Sequence, residues 1–193
     1  MNDRIVRDAF HYRVLKKAHK CANTFVVDEL GLKNGAVRAD IAVLNGKLIG
    51  YEIKTEKDNL ERLTNQVSAY NEVFDKAFIV LSEKHLSKAL QIVPDWWGIY
   101  LIEGNSERVR FKCFRKAQIN RFKSALSIAQ FLWRSEAIEV FQSTFNKPIS
   151  SNKTKHYLCQ EIALAHNPTD LGRITLNYLK NRKDWRTNHS QLL

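Results

Sequence analysis

Cysteine and glycine are both scarce in this chain of 193 residues, which has 3 of the first and 7 of the second. Cys21, Cys113 and Cys159 have no paired spacing, which argues against a disulfide framework or a zinc cluster and for a reducing compartment. The glycines form no phosphate-binding loop, so we expect no ATPase. No apolar run approaches the ~18 residues that span a bilayer, and we expect no signal peptide. We therefore expect a cytoplasmic protein without a membrane partner.

Acidic residues are the minority among the charged ones. The chain carries 31 lysines and arginines against 20 acidic residues, for a formal net charge of +11. Positions 1–105 have 15 basic and 14 acidic residues, whereas positions 106–193 have 16 and 6. The positive field therefore comes from the C-terminal part. Such a field attracts a polyanion, and binding should weaken steeply with salt. We expect nucleic acid, with DNA favoured, as the partner.

Two strand-like runs flank a turn signal and carry charged side chains where apolar ones are usual. The runs cover 38–44 and 48–55, and the turn signal is Asn45-Gly46. Glu52 and Lys54 are two residues apart, so on a strand they point to one face. The other face of the second run is apolar, and we expect it to be packed against the core.

Asp40, Glu52 and Lys54 form a set suited to phosphodiester hydrolysis. Two carboxylates bind a hard divalent cation such as Mg²⁺ or Mn²⁺ through oxygen. The metal polarises a phosphoryl oxygen and helps to make hydroxide from water at neutral pH. A lysine beside it orients or deprotonates that water, or neutralises charge in the transition state. The alternative is a hairpin in which Lys54 forms an exposed ion pair with either acid.

The register of the hairpin decides whether Asp40 and Glu52 share a face. A two-residue type I′ turn at Asn45-Gly46 would put the two carboxylates on opposite faces. A shift by one, through a three-residue loop or a bulge, pairs Leu44 with Leu48 and sets Asp40 across from Glu52. We predict the shifted register, because a metal site needs both carboxylates on one face. Apolar alternation supports the shift, since it gathers the apolar residues of both runs on the other face: Ile41, Val43, Ile49, Tyr51 and Ile53.

The order Asp40, then Glu52-Ile53-Lys54 on the next strand, resembles the PD-(D/E)XK nuclease superfamily with its restriction-endonuclease-like fold. Ala39 precedes Asp40 where the name pattern has proline, and the second motif matches without change. The resemblance implies that Asp40 and Glu52 hold the metal and that the main-chain carbonyl of Ile53 is a further ligand. It also implies that Lys54 positions the attacking water.

An upstream acid is expected to complete the site. The apolar, β-branched segment 24–30 predicts a strand and includes Asp28-Glu29. The resemblance implies an additional glutamate in the metal shell, for which Glu29 is the better match and Asp28 remains open. The alternative is a pair of solvated charges at a strand end.

The segment after the hairpin has a helical pattern. Asp58 and Glu61 have the spacing of a capping box. Arg62, Gln66 and Tyr70 follow at intervals of four and so lie along one edge of the helix. Gln66 and Tyr70 are similar to the Gln-x-x-x-Tyr element of RecB-like nucleases, which implies that they contact nucleic acid or brace the lysine strand. Tyr70 also falls on the apolar stripe, so a plain core position is the alternative.

The pattern of apolar residues predicts an α/β fold. We expect a helix over 4–21, strands near 24–30, 36–44 and 48–55, a helix over 59–74, and a strand over 77–81. A helix over 83–93, a strand over 98–102 and an edge strand over 108–114 follow. This αβββαβ order is that of the restriction-endonuclease-like core. A helix between the third and fourth strands implies a parallel, right-handed crossover, hence a mixed sheet with helices on both faces.

The remainder, from Ala117 onward, is predicted to be helical. We assign 1–115 to a nuclease-like domain and 116–193 to a basic α-helical extension. Helices are expected near 122–133, 138–145, 156–166 and 171–179, the last with Thr169 or Asp170 as N-cap. Leu132-Trp133-Arg134 and the ending Arg182-Lys183-Asp184-Trp185-Arg186 look like elements of a family of small bacterial and mobile-element proteins. Basic residues interleaved with aromatic ones in this part are suited to gripping single strands.

We predict a Mg²⁺- or Mn²⁺-dependent nuclease that hydrolyses phosphodiester bonds in DNA. Glu29, Asp40, Glu52 and Lys54 would act at its centre, and Arg62, Gln66 and Tyr70 would brace the site or touch the substrate. The alternatives are a non-cleaving nucleic-acid-binding subunit of a repair or anti-phage assembly, and a nuclease directed at RNA. A homodimer or another protein partner is compatible with either.

Overall fold

The computed structural model describes residues 1–150 and 152–182. In this part of the chain, six strands form one sheet in the order β1-β2-β3-β4-β5-β6. The strands are β1 (Phe25–Leu32), β2 (Val37–Leu44), β3 (Leu48–Lys54), β4 (Lys76–Ser82), β5 (Gly98–Gly104) and β6 (Val109–Arg115).

Helices flank this sheet and form the C-terminal region. The N-terminal part and the crossovers contain α1 (Asp3–Arg13), α2 (Lys16–His19), α3 (Leu63–Val73) and α4 (Leu86–Ile92). The C-terminal region contains α5 (Ala125–Ala129), α6 (Arg134–Phe145), α7 (Lys155–Ala165) and α8 (Pro168–Asn181). None of the helices in 1–150 and 152–182 is long and apolar enough to cross a membrane.

The sheet is mixed, as the sequence predicted. β1 pairs with β2 and β2 with β3 in antiparallel fashion. α3 and α4 then connect parallel pairs, β3 with β4 and β4 with β5, and β6 closes the edge as an antiparallel partner of β5. The αβββαβ order and the α/β class with a helical C-terminal region are therefore confirmed.

The hairpin between β2 and β3 adopts the predicted shifted register. Leu44 pairs with Leu48, and the loop between them has three residues with Gly46 at a φ of 62°. A left-handed φ of this kind is accessible to glycine without steric cost, which explains the turn signal. The register follows from burial, because a slip by one residue would move the apolar set to the other face.

Both faces of the sheet are covered. On one face, α1 packs Val6 and Phe10 against the apolar side of β2 and β3, including Ile41 and Tyr51. On the other face, α3 packs a fully buried stripe against β2, β3 and β4 with Leu63, Tyr70 and Phe74. The face that carries Glu52 and Lys54 is thus not an open surface, since α3 covers it.

Several predicted helices begin or end elsewhere. The helix expected over 122–133 covers only Ala125–Ala129, and the one expected over 138–145 begins at Arg134. The helix expected over 4–21 divides into α1 and the short α2, with Val14 as the C-cap of α1. The helix expected over 59–74 begins only at Leu63, because Asp58 accepts hydrogen bonds from the Thr55 amide and hydroxyl at 2.7 Å instead of capping. The N-cap of α8 is Asn167 rather than Thr169 or Asp170.

The prediction of helix from Ala117 onward is wrong for 116–124, which has no helical structure. Asn120 is buried there and donates from Nδ2 to the carbonyls of Asn71 and Phe74, at 2.7 and 3.0 Å. These bonds satisfy carbonyls at the end of α3, so a tertiary contact overrides the helical spacing. Lys183, Asp184, Trp185 and Arg186, which the sequence analysis singled out, lie outside the described residues.

The C-terminal helices form a core of their own and share another with the sheet. Phe141 of α6 and Leu158 of α7 are buried in one cluster with Leu132, which lies between α5 and α6. Leu176 and Leu179 of α8 instead belong to the cluster that α3 forms with the sheet. The region after position 115 therefore packs directly on the sheet domain through α8.

Candidate functional site

Three carboxylates lie in one row across neighbouring strands. In the pairing of β2 with β3, the position next to Ile41 and Tyr51 sets Asp40 opposite Glu52. Opposite residues on adjacent strands lie close together on one face of a sheet. The pairing of β1 with β2 skips Glu29 and Asp40, which lie between the pairs of Asp28 with Ile41 and of Leu30 with Ala39. Strand register therefore brings Asp40 and Glu52 together, with Glu29 at an interruption of the neighbouring strand pair.

The row opens into a cleft of about 540 Å³, which we call the acidic cleft. Seven of the residues predicted for the site line it: Glu29, Asp40, Glu52, Ile53, Lys54, Arg62 and Gln66. Tyr70, the remaining one, lies behind it in the core. The acidic cleft also contains Asp3, Arg7, Arg38, Asp58 and Asn65, which the sequence analysis did not assign to the site.

Glu52 is the most enclosed of the acids, with 1% of its surface exposed. Its Oε1 accepts hydrogen bonds from Lys54 Nζ at 2.8 Å and from Gln66 Nε2. Its Oε2 accepts one from the Tyr70 hydroxyl at 2.8 Å. β3 supplies the lysine two residues along the same face, and α3 supplies the amide and the phenol one turn apart. These three donors fix the orientation of the carboxylate.

Asp40 contacts both the next strand and the first helix. Its Oδ2 accepts a hydrogen bond from the Ile53 amide at 2.6 Å, and its Oδ1 lies 3.3 Å from Arg7 NH2. Arg7 NH1 lies 2.7 Å from Glu29 Oε1 and also donates to the Asp40 carbonyl at 3.0 Å. The Arg7 guanidinium therefore links two of the three acids in the row.

Glu29 has an unusual backbone for a strand residue. Its φ is 56°, in the left-handed region that side chains other than glycine rarely occupy. Such a conformation costs roughly 1–3 kcal/mol and tends to occur at functional sites. Asp28, the alternative left open by the sequence, does not line the acidic cleft: its Oδ1 lies 3.0 Å from His11 Nε2.

Burial disfavours the charged forms of the two inner carboxyls. It raises the pKa of Asp40 to about 8, and the adjacent Glu52 contributes in the same direction, while the Ile53 amide and Arg7 oppose it. Burial also raises the pKa of Glu52, although Lys54, Tyr70 and Gln66 stabilise its anion. A positive charge at the site would relieve the cost of ionising both groups.

Arg7 supplies such a charge from within the chain. Burial lowers the pKa of its guanidinium, but Asp40, Asp3 and Glu29 outweigh that effect and raise it above its usual value. Asp3 lies one helical turn before Arg7, and Asp3 Oδ2 is 3.2 Å from Arg7 Nη2. The sequence signal for Arg7 was only this i, i+4 pair, since its partners on the strands lie more than twenty residues away along the chain.

The donors present match a hard divalent cation in type, because carboxylate and carbonyl oxygens are what Mg²⁺ and Mn²⁺ prefer. Gln66 Oε1 adds a buried oxygen with no hydrogen-bond partner. In the described part of the chain, however, no three His, Cys, Asp or Glu side chains are grouped closely enough to hold a metal. The metal roles of Glu29, Asp40, Glu52 and Ile53 remain predictions.

Sequence comparison identifies the family. The family described as "Bacteriophage P4 protein cII" matches residues 9–193, and the chain belongs to it. The match includes both the strands of the acidic cleft and the C-terminal helices.

One curated relative is Protein cII of Enterobacteria phage P4. It is 30% identical over 122 residues, which are 63% of this chain and 46% of that protein. The aligned part of the chain thus spans a little under half the length of this relative. Among solved structures, the SPO1766 protein of unknown function from Silicibacter pomeroyi matches with a TM-score of 0.41 and 16% identity, covering 57% of this chain and 71% of that one.

Proposed function

We propose that this protein is a metal-dependent nuclease that hydrolyses phosphodiester bonds in DNA. The observation that supports the proposal most directly is the row of Glu29, Asp40 and Glu52 in one cleft, with Lys54 bonded to Glu52 at 2.8 Å. A set of buried acids beside an amine is costly to a fold, because desolvation raises the pKa of both inner carboxyls. Such a cost is typical of functional sites.

Each residue has a distinct role in the proposed reaction. Asp40 and Glu52 would hold the Mg²⁺ or Mn²⁺ ion with help from Glu29 and the Ile53 carbonyl. When bound, the ion would polarise the phosphoryl oxygen and neutralise charge. Lys54 would orient the attacking water and stabilise the negative charge that develops on the phosphate.

The residues of α3 would keep this arrangement fixed. Tyr70 and Gln66 donate to separate oxygens of Glu52, so they hold the carboxylate in one orientation. Arg62 lines the acidic cleft at the start of the same helix, where its charge is available to a phosphate. The basic C-terminal half would supply the attraction for the polyanion.

A second function is a nucleic-acid-binding subunit without cleavage, and the position of Arg7 favours it. Its guanidinium contacts Glu29 and Asp40, the acids that a metal would need. A cation that belongs to the chain would neutralise these acids permanently. The function would then be nucleic-acid binding by the positively charged surface.

Incubation of the purified protein with single-stranded, double-stranded and branched DNA, and with RNA, tests the two functions. With Mg²⁺ or Mn²⁺ we expect nicked or degraded DNA, with no product in EDTA. The variants Asp40→Ala, Glu52→Ala and Lys54→Ala should each abolish the products. Asp95→Ala, which removes a fully exposed acid outside the cleft, is the matched control and should keep activity.

Full activity in Lys54→Ala would contradict the role of the lysine and leave the nuclease standing. Salt-dependent DNA binding with no product under any metal would contradict the nuclease and favour the binding subunit. Products from RNA alone would keep the chemistry and change the substrate.

A further inference from the structure

A second cleft lies between the sheet and the C-terminal helices. Its volume is about 240 Å³, and Gly35 lines both this cleft and the acidic cleft. One wall is the end of β1 with the turn Lys33–Gly35, and the other comes from α5, the segment after it, α7 and Arg182. The two clefts are therefore neighbours that share the turn as a wall. We call the second one the basic cleft.

The charged side chains that line the basic cleft are cations. They are Lys33, Lys155 and Arg182, and none of the described lining residues is acidic. Lys33 Nζ lies 2.8 Å from a Glu72 oxygen, and Arg182 NH2 lies 2.5 Å from a Glu136 oxygen, so acids outside the lining hold these two cations. The positive groups are thus fixed in place before any ligand arrives.

Lys155 is held differently. Its Nζ donates to the Gln130 carbonyl at 2.8 Å, which takes one of the three donors of an ammonium group. Burial raises the pKa of the Glu136 carboxyl, but Arg182 and Lys155 contribute to lowering it below its usual value. The charge of Lys155 therefore acts on Glu136 as well. Three cations and two carboxylates leave a positive balance at this cleft.

An aromatic platform adjoins these charges. Trp133 is 50% exposed, and the guanidinium carbon of Arg182 lies 4.2 Å from the centroid of its ring. A guanidinium over an indole is a favourable cation–π pair. Planar groups of this kind offer unpaired bases a surface for stacking, which tolerates any base because every base has a π face.

We propose that the basic cleft binds a single-stranded nucleic acid segment that continues from the acidic cleft. Phosphates would meet Lys33, Lys155 and Arg182, and an unpaired base would stack at Trp133. A duplex presents its bases already stacked on each other, so the aromatic platform favours the single strand. The inference rests on the proposed function and deepens it, because it names the form of the substrate beside the reacting bond.

The test is binding of a short fluorescein-labelled single-stranded DNA, measured by anisotropy in EDTA across a salt series. The cleft variant is Lys33→Gln with Lys155→Gln. The control variant is Lys17→Gln with Lys88→Gln, which removes the same charge from exposed lysines that line neither cleft. We expect binding at least roughly ten-fold weaker in the cleft variant than in the control, and a salt slope lower by about 1.4, or ~0.7 for each phosphate that is no longer neutralised.

Trp133 tests the stacking part separately. Trp133→Leu should weaken single-strand binding by roughly ten-fold with an unchanged salt slope, and Trp133→Phe should restore much of it because a π face returns. Equal binding by the cleft and control variants would overturn the proposal. So would a defect of the cleft variant confined to duplex DNA.

Cleavage measured with Mn²⁺ at saturating DNA separates this proposal from the nuclease. If the cleft variant binds weakly but still cleaves at saturating DNA, the nuclease proposal and the basic-cleft proposal are both supported. If the wild-type protein cleaves nothing while the cleft variant alone loses binding, the nuclease fails and the basic cleft stands as a binding site. If the wild-type protein cleaves DNA and the cleft variant binds single strands as tightly as the control variant, the basic-cleft proposal fails and the nuclease proposal stands.

Discussion

Arg7 contacts two of the three acids in the row. Only 14% of its side chain is exposed, and it lies 2.7 Å from a Glu29 oxygen and 3.3 Å from an Asp40 oxygen. An arginine held by two carboxylates satisfies both, whereas a divalent cation bound by the same oxygens would compete with it. If the site holds a metal as proposed, Arg7 would link metal binding to stability.

Replacement of Arg7 measures that link. Arg7→Ala should lower the melting temperature of the metal-free protein, because breaking a largely buried ion pair costs about 3–5 kcal/mol, or less here since Glu29 is half exposed. Addition of Mn²⁺ should then raise the melting temperature more in the variant than in the wild type, because the ion no longer competes with the arginine.

Arg4→Ala is the matched control for this prediction. Arg4 lies on the same helix with 91% of its side chain exposed, and its acidic partner, Asp8, is 4.0 Å away. The control should melt like the wild type with and without Mn²⁺. An identical Mn²⁺ increment in Arg7→Ala and the wild type would show that Arg7 and the metal do not compete.

Asp40 gives the metal-free protein a distinctive pH dependence. Its pKa rises from 3.8 to about 8 on folding, so the native state binds a proton more tightly than the unfolded chain. Stability from this group is fully present below pH ~4 and is lost as pH rises towards 8. Asparagine cannot ionise, so the Asp40→Asn variant does not lose this stability as the pH rises.

We expect the melting temperature of Asp40→Asn, relative to the wild type, to be higher at pH 8 than at pH 5 in EDTA. Differential scanning calorimetry at the two pH values measures it, and each 1 kcal/mol corresponds to about 2–4 °C in a chain of this size. A relative melting temperature that does not change between pH 5 and pH 8 would mean that the carboxyl ionises as readily in the folded protein as in water.

At the scale of elements, α3 depends on a glycine in β3. A Cβ placed on Gly50 would lie 2.7 Å from the Phe74 ring, and Phe74 is fully buried at the C-cap of α3. The ring has no space into which to move. The absence of a side chain at Gly50 is thus what allows α3 to lie close enough for Tyr70 to reach Glu52.

Gly50→Ala should therefore destabilise the protein by about 1–3 kcal/mol, as overpacking of a core does. Gly172→Ala is the control, because its added Cβ would meet only Lys123 Nζ at 3.8 Å and the residue lies within α8. That change should stabilise by about 0.5–1 kcal/mol through helix propensity. Chemical denaturation of both variants provides the measurement, and wild-type stability in Gly50→Ala would disprove the close packing.

The elements that sequence predicted well are those set by burial alone. Alternation of apolar residues supported the predicted register of β2 and β3, in which Asp40 aligns with Glu52. The start of α3 was wrong because Asp58 has a competing local partner in Thr55. Asp58 and Glu61 have the spacing of a capping box. Only the turn geometry decides whether Asp58 caps the helix or bonds to Thr55.

The segment 116–124 and the contacts of Arg7 could not be predicted for a different reason. Asn120 and Arg7 each bond to residues far along the chain, at the end of α3 and on β1 and β2. Periodicity describes what a segment does with its neighbours in sequence. It carries no information about a carbonyl or carboxylate that a distant element presents.

At the scale of the whole molecule, the C-terminal helices and the sheet share buried polar contacts. Asp75 Oδ2 accepts a hydrogen bond from the Leu48 amide at 2.8 Å, and its Oδ1 accepts one from Lys123 Nζ. Lys123 is 7% exposed, so Asp75 balances a buried charge contributed by the segment before α5. Asn120 donates its amide proton to the Asp75 carbonyl at 2.9 Å. Asp75 therefore connects β3 to the C-terminal region.

Asp75→Asn should accordingly destabilise the whole chain by about 3–5 kcal/mol, because it leaves Lys123 buried without its partner. Asp95→Asn removes a fully exposed acid from its pair with Arg115 and should leave the melting temperature unchanged. Since Leu176 and Leu179 of α8 lie in the same core as α3, we expect one unfolding transition, shifted as a unit. Two separate calorimetric transitions, with only one moved by Asp75→Asn, would mean that the sheet domain and the helical region fold independently, because a shared core must melt at one temperature.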